Sequence, residues 1–266
     1  MRGLALGVVV AVCAGQAFAG TVGTQRPRSA FGPGEQTIYA VSYLGVPTGQ
    51  ATVTVGLTLE KYGVNTWPIV CTAETTDVGA IFPVKDKFVS FWDPVGRLSV
   101  GNEGHAEEGR DRHRERTRFD HVEGKAFTTK QWEGKQANDT THEVAKDTLD
   151  MAAASFKLRD YPLVVGSKYE LPVFTGTTAF TLKATISGRE KITTALGEKD
   201  ALKMNVTVEF NGGLKTKRDL VIWVADDSTH LPLRVDAEFL VGTMRAEVVK
   251  YASGMDYGGA DQGGDK

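Results

Sequence analysis

Alternation between apolar and polar side chains is the feature that most restricts how this chain can fold. The clearest run has apolar residues at every second position from Leu233 to Val241. Because successive side chains of a β-strand point to opposite faces, such a run predicts a strand with one buried face. Comparable runs recur roughly every 10 residues, separated by turn-forming Gly, Pro and Asp, and predict about a dozen strands.

A sheet of this size has to curl or close. Consecutive strands joined by short turns pair antiparallel, and a long twisted sheet rarely stays flat. We therefore predict a mainly all-β protein with one domain over residues 31–251, built as a single antiparallel curled sheet, either an open barrel or a β-spiral. A membrane barrel is not favoured, because an arginine-rich strand interrupts any lipid-facing apolar band.

One segment has helical rather than strand spacing. Residues 147–159 carry apolar residues three and four positions apart and three consecutive alanines. Asp147 is the predicted N-cap, with Asp150 three residues later as a partial capping box. Pro162 ends the segment. We expect this single helix to lie over an open end or an edge of the sheet.

Residues 1–19 have the features of a secretory signal peptide. Arg2 supplies a positive charge, residues 4–12 are apolar, and AFA at residues 17–19 forms a small-residue cleavage site. The apolar run is too short to span a membrane. The residue before Cys13 is a valine, where lipoprotein signals usually carry a smaller residue. We therefore expect cleavage and a periplasmic location rather than lipidation.

The remaining composition narrows the class of protein. Residues 20–30 and 252–266 offer little to bury, so they are predicted to be a disordered leader and tail. The 31 Lys and Arg residues nearly balance the 33 Asp and Glu residues, which argues against a nucleic-acid partner. Only Cys71 would remain after cleavage, so no intramolecular disulfide is possible and the core must stabilise the domain.

Five arginines at every second position mark the most unusual predicted strand. In an extended chain their guanidinium groups would share one face. These residues are Arg110, Arg112, Arg114, Arg116 and Arg118.

Two interpretations of this row remain open. It is either a solvated face whose cross-strand neighbours are carboxylates, with Glu103, Glu107 and Glu108 as candidate partners across a turn, or an anion-binding site. In the second case, guanidinium groups about 6.5–7 Å apart would bind repeated phosphates or carboxylates.

No catalytic constellation is recognisable. The chain has no Gly-x-Ser-x-Gly motif, and nothing in the spacing of its five histidines fixes a convergent metal site. We therefore predict no catalytic residue, no metal and no cofactor. The aromatic residues are expected to be core, with a subset available to line a cavity for an acyl chain.

Several motifs, in this order, resemble the bacterial domain-of-unknown-function family 3108 over residues 31–251. The resemblance implies an exported, all-β envelope protein without assigned chemistry. The matching segments are FxxGExxxY from Phe31, GxxxGxA from Gly45, KDKF from Lys85 with Trp92-Asp93, Phe119-Asp120, Asp147-x-Leu149 with Leu158-Arg159, Gly188-Arg189-Glu190, and WxxxDxxxLP from Trp223.

Together these observations predict a periplasmic, non-enzymatic binding or envelope-maintenance protein. It would hold an anionic lipid or polysaccharide, with the arginine row near the mouth of an apolar groove or lumen. The alternative is a structural or assembly partner that binds another envelope protein through an exposed sheet edge. A hydrolase is the weakest alternative, because it requires a clustered acid/base pair in a cleft. We expect no nucleic-acid partner and no transmembrane segment in the mature chain.

Overall fold

The computed structural model describes residues 29–75, 83–210, 220–238 and 242–255 of the 266-residue chain. The predicted signal peptide, most of the predicted leader and most of the predicted tail lie outside these ranges. So do three residues, 239–241, at the end of the clearest alternating run.

Within the described ranges, 15 strands form one sheet in which every pairing of adjacent strands is antiparallel. The strands are β1 (Gln36–Tyr43), β2 (Val46–Val55), β3 (Leu59–Lys61), β4 (Val64–Thr75), β5 (Lys85–Asp93), β6 (Leu98–Glu108), β7 (Asp111–Asp120), β8 (Lys125–Trp132), β9 (Asn138–Glu143), β10 (Lys168–Phe174), β11 (Ala179–Thr194), β12 (Gly197–Phe210), β13 (Leu220–Ala225), β14 (Pro232–Glu238) and β15 (Thr243–Ala252).

The strand order is β10-β11-β12-β13-β14-β15-β1-β2-β4-β5-β6-β7-β8-β9, with β3 paired to β4. Most strands therefore pair with their neighbours in sequence, and the pairing of β1 with β15 joins the two halves of the chain. The sheet is not closed, because β9 and β10 are its two ends. The prediction of a mainly β, single, antiparallel sheet is confirmed.

Strand β9 has no counterpart among the alternating runs of the sequence. The segment around residues 133–141 carries no alternating apolar residues, yet the residues from Asn138 to Glu143 pair with β8. As an edge strand with mostly exposed side chains, β9 has little to bury. It therefore lacks the apolar alternation from which a strand is predicted.

The helix α1 (Met151–Arg159) begins later than predicted. Its N-cap is Asp150, whose Oδ1 accepts a hydrogen bond from the backbone N–H of Ala153 at 2.9 Å. Asp147 is not the cap, because the chain before the helix is held extended along β10. There the N–H of Leu149 donates to Pro172 O at 3.0 Å, and the N–H of Phe174 donates to Leu149 O at 2.9 Å.

Helix α1 lies on the inner face of the sheet, and its contacts include the edge strand β10. It contacts β4, β5, β6 and β10, and nearly all of its surface is buried. Residues 152–154 are alanines, each no more than 1% exposed, and their small side chains allow a close approach to the strands. Phe156 and Leu158 complete the packing. The helix therefore fills the interior of the curled sheet.

Both ends of the described chain are fastened to this helix or to each other. The hydroxyl of Ser29 and the N–H of Ala30 donate to Asp160 Oδ1 at 2.9 and 2.8 Å. The N–H of Met255 donates to Pro33 O at 2.8 Å. Hydrogen bonds of the described structure thus reach from Ser29 to Met255.

Candidate functional site

The arginine row lies on β7, as an extended strand with one cationic face. Arg112, Arg114 and Arg116 are exposed, Arg118 is half-buried, and residues between them face the interior. Arg110 does not continue the row, because it lies in the tight turn before β7, next to Gly109 with φ of 60°. We call the outer surface formed by Arg112, Arg114, Arg116 and Arg118 the arginine face.

Neighbouring carboxylates neutralise only one end of the arginine face. Glu107 lies opposite Arg112, with 3.5 Å between Glu107 Oε2 and Arg112 Nε, and Glu133 approaches the same guanidinium at 3.5 Å. Glu103 lies opposite Arg116, but its Oε1 is 2.6 Å from Lys61 Nζ instead. Glu108, the last of the three glutamates predicted as partners, is buried on the inner face and so lies on the opposite side of the sheet from the arginines.

Arg114 and Arg116 are the uncommitted members of the face. Neither is within 4 Å of a carboxylate oxygen among the residues that the structure describes, and both are exposed. Arg118 is different, because its guanidinium lies 4.4 Å from the centre of the Phe127 ring. The centre of the arginine face therefore carries positive charge that the described part of the fold does not neutralise.

The cationic surface extends across the sheet to β5. Lys87 lies opposite His105, and His105 lies opposite Arg114, so these three side chains form one row on the outer face. Lys87 is exposed, and no carboxylate of the described ranges pairs with it. The sequence alone does not place Lys87 on this surface, because only the registers of β5, β6 and β7 bring it beside a residue 27 positions away.

The space beside α1, among the described residues, is small. Between α1 and the sheet lies a cavity of about 30 Å³, lined by residues that include Tyr39, Cys71, Ser155, Phe156 and Arg159. That volume suits one or two water molecules, whereas ligand pockets usually measure several hundred Å³. This cavity is too small for the acyl chain that the sequence analysis considered, since α1 occupies the lumen.

A buried ion pair joins α1 to the residue that precedes β1. Arg159 and Glu35 are each 3% exposed at the side chain, and the guanidinium donates to both carboxylate oxygens at 2.5 and 2.9 Å. Arg159 also donates to Thr229 O and Ala30 O. Burial alone would lower the pKa of Arg159, but the adjacent Glu35 carboxylate raises it above its usual value. This arginine is fully engaged in the fold.

A second buried polar group lies at the start of α1. Asp150 Oδ2 accepts hydrogen bonds from Ser90 Oγ at 2.7 Å and Ser99 Oγ at 2.5 Å, and burial raises the pKa of Asp150. All three side chains are no more than 1% exposed. Cys71 is likewise buried, and burial raises the pKa of its thiol to about 12. A substrate would not reach these groups, so their arrangement is structural.

Two further observations concern the described ranges. They contain no group of three or more His, Cys, Asp or Glu residues placed to hold a metal ion. Within them, no helix combines the length and the apolar character needed to cross a bilayer.

An open, barrel-like antiparallel sheet filled by one helix defines the structural class. A crystal structure of a β-barrel-like protein of domain of unknown function DUF1849 from Brucella abortus shares this fold. It has a TM-score of 0.54 and 9% identity, and the match covers 82% of this chain and 97% of that one. The chain itself belongs to the DUF3108 family, described as protein of unknown function, whose sequence model matches residues 38–249.

Two more distant structures were also found. One is an exported protein with a YmcC-like fold from Bacteroides fragilis, at a TM-score of 0.33 and 10% identity, covering 85% of this chain and all of that one. The other is a lipoprotein from Parabacteroides distasonis, at a TM-score of 0.34 and 8% identity, covering 86% and 100%. No curated protein matches the sequence significantly. The family is thus one of unknown function.

Proposed function

We propose that this protein is a non-enzymatic, periplasmic envelope protein that binds polyanions at the arginine face. The observation that carries the proposal is the pair Arg114 and Arg116, which are exposed, two residues apart, and without an ion pair in the described structure. A fold that needed these charges for stability would neutralise them, as it does at Arg159. Lys87 adds a third cation beside them.

The shape of this surface favours a polymer or a membrane over a small anion. The arginine face is the outer side of a sheet and offers no enclosed pocket to desolvate a single phosphate. Side chains on one face of a strand repeat about every 6.5–7 Å, which suits a ligand with repeated charges. Each cation near an anionic surface contributes about 1 kcal/mol. A few such contacts give binding that is moderate in affinity and sensitive to salt.

Repeated anionic groups of this kind occur in two kinds of ligand, anionic lipid head groups and acidic polysaccharides. Binding assays with two probes distinguish them: vesicles of phosphatidylglycerol and phosphatidylcholine represent the lipid, and soluble polygalacturonate represents the polysaccharide. We expect the wild-type protein to co-sediment with anionic vesicles or to bind the polysaccharide at low salt, and to bind much less at high salt. Binding to pure phosphatidylcholine vesicles should be absent.

The decisive variant is Arg114→Glu with Arg116→Glu, which should reduce binding at least tenfold. A matched control reverses two exposed lysines elsewhere, Lys191 and Lys199 on β11 and β12, and changes the net charge by the same amount. If the control loses as much binding as the arginine variant, only overall charge matters and the face is not a site. If neither loses binding, the proposal is wrong.

A second candidate function rests on the sheet edges. The edge of β10 is partly covered by the backbone of Leu149, whereas β9 carries mostly exposed polar residues and pairs on one side with β8. An open edge can accept a strand from another protein. If β9 binds an envelope protein, Thr141→Lys should abolish its capture from a membrane extract, while the Arg114→Glu, Arg116→Glu variant should still capture it.

A further inference from the structure

Two carboxyl groups lie side by side on the inner face of the sheet. Asp86 on β5 is 3% exposed and Glu108 on β6 is 6% exposed. The bridge between Val84 and Glu108, together with the pairing of Lys87 with His105, makes Asp86 a diagonal cross-strand neighbour of Glu108. Diagonal neighbours on one face are within reach of each other's side chains. We call Asp86 and Glu108 the carboxyl pair.

Asp86 lacks the partners that a buried carboxylate needs. Its Oδ1 accepts a hydrogen bond from the N–H of Glu107 at 3.0 Å. Its Oδ2 is buried without a hydrogen-bond partner, and none of the described Lys, Arg or His side chains forms an ion pair with it. An ionised group in this position is costly. Two adjacent buried carboxyls avoid the cost by keeping one proton between them.

The surrounding charged groups do not stabilise an ionised Asp86. Glu107 faces outward toward Arg112 and adds negative charge near Asp86. On β7, Asp111 lies opposite Glu108 and His113 faces the same interior. Burial, reinforced by Lys130 on β8, lowers the pKa of His113, so its imidazole is not a fixed cation.

Lys130 is itself engaged by another carboxylate. Its Nζ lies 2.7 Å from Glu115 Oε2. Burial is the largest effect and raises the pKa of Asp86 to about 6, although the hydrogen bond from the Glu107 N–H opposes it; the neighbouring Glu108 carboxylate adds to the increase. The carboxyl pair therefore gains or loses its proton within the ordinary range of environmental pH.

We propose that Asp86 and Glu108 share one proton and so form a latch, which holds the start of β5 against the end of β6 in mild acid and loosens when the proton is lost. Two hydrogen bonds outside the regular ladder join the strand ends at this point in the described structure. The N–H of Gly109 donates to Pro83 O at 2.8 Å, and the N–H of Glu107 donates to Asp86 itself. Loss of the proton places two negative charges side by side in a buried site, and their repulsion pushes the two strand ends apart.

The sign of the pH dependence follows from the raised pKa of Asp86. The folded state binds the proton more tightly than the unfolded state, whose aspartate pKa is about 3.9. The stabilisation is complete below that value and is lost as pH rises through about 6. The latch is independent of polyanion binding, because Asp86 and Glu108 face the interior and the arginine face lies outside.

Hydrogen exchange at the amides of Glu107 and Gly109 tests the latch. In the wild-type protein we expect the protection of these amides, corrected for intrinsic exchange, to fall about tenfold between pH 5 and pH 7.5. Asp86→Asn retains the oxygen that accepts the Glu107 N–H and should show equal protection at both pH values. Glu133→Gln, an exposed carboxylate change, should behave as wild type.

Two outcomes would overturn the latch. One is wild-type protection that does not change with pH, and the other is an Asp86→Asn variant that keeps the wild-type dependence. If Asp86→Asn does not fold, Glu108→Gln makes the same test from the other carboxyl. The ¹³C resonance of the Asp86 carboxyl gives an independent check, because a titration midpoint below pH 4 would contradict a shared proton.

Discussion

Arginines inside and outside the sheet of this protein have opposite relations to the fold. Arg159 is buried and donates to both oxygens of Glu35 and to two backbone carbonyls. Arg114 and Arg116 are exposed and have no ion pair within the described residues. The guanidinium of Arg159 donates its hydrogen bonds to groups of the fold, whereas those of Arg114 and Arg116 remain available to a ligand. This difference suggests which arginines are required for folding and which are available to a ligand.

The largest loss of stability is expected from changing the buried arginine. Arg159→Met should lower the free energy of unfolding by about 3–5 kcal/mol, because it leaves the Glu35 carboxylate buried without its partner. Urea denaturation at pH 7 measures this loss. The double change Arg159→Met with Glu35→Gln should recover part of it. A loss below about 1 kcal/mol in the single variant would show that the ion pair is not a structural requirement.

The N-cap of α1 comes next in size. Asp150→Ala removes the helix cap and leaves the hydroxyls of Ser90 and Ser99 without their acceptor, so we expect a loss of about 2–4 kcal/mol. Asp147→Ala, at the position that the sequence favoured, should change stability by less than about 0.5 kcal/mol. Equal losses in the two variants, by thermal or urea unfolding, would refute Asp150 as the cap.

A smaller effect, of opposite sign, is expected at the carboxyl pair. Asp86→Asn should raise the free energy of unfolding at pH 7.5 by about 1–3 kcal/mol, because it removes the buried charge that the wild-type protein acquires above pH 6. Near pH 4 the two proteins should be equally stable. Urea unfolding curves of both proteins at the two pH values measure this difference in stability. A variant less stable than wild type at pH 7.5 would show that the ionised carboxylate has a favourable partner.

The smallest effect on stability is expected at the arginine face. Arg114→Ser with Arg116→Ser should change the free energy of unfolding by less than about 0.5 kcal/mol, since no ion pair of the described structure is lost. The same thermal unfolding assay applies. A substantial loss of stability would show that Arg114 and Arg116, like Arg159, are required for folding.

Local sequence patterns were sufficient to predict the β class, the open curled sheet and the common face of the arginines on β7. Alternation is a property of a single strand, so it is visible without knowledge of the fold. The polar edge strand β9 was missed for the corresponding reason, because it has no buried face to create a pattern. The cap of α1 was misplaced by three residues, since the pairing of Leu149 with β10 decides where the helix begins.

Features that depend on distant residues could not be predicted. Glu35 and Arg159 are 124 positions apart, and neither has a local pattern that points to the other. Lys87 joins the cationic surface only through the register of β5 and β6. The position of α1 on the concave side of the sheet decides that the interior is filled, and this depends on how the whole sheet curls.

The arginine Nε–Hε resonances offer the most direct test of the central claim, because they report on both kinds of arginine in one spectrum. The wild-type protein would be titrated with sodium tripolyphosphate as a soluble polyanion. We expect the resonances of Arg114 and Arg116 to shift progressively with added tripolyphosphate, while that of Arg159 stays fixed. Unchanged resonances for Arg114 and Arg116, or equal shifts for other exposed arginines such as Arg189 and Arg245, would contradict a polyanion site at the arginine face.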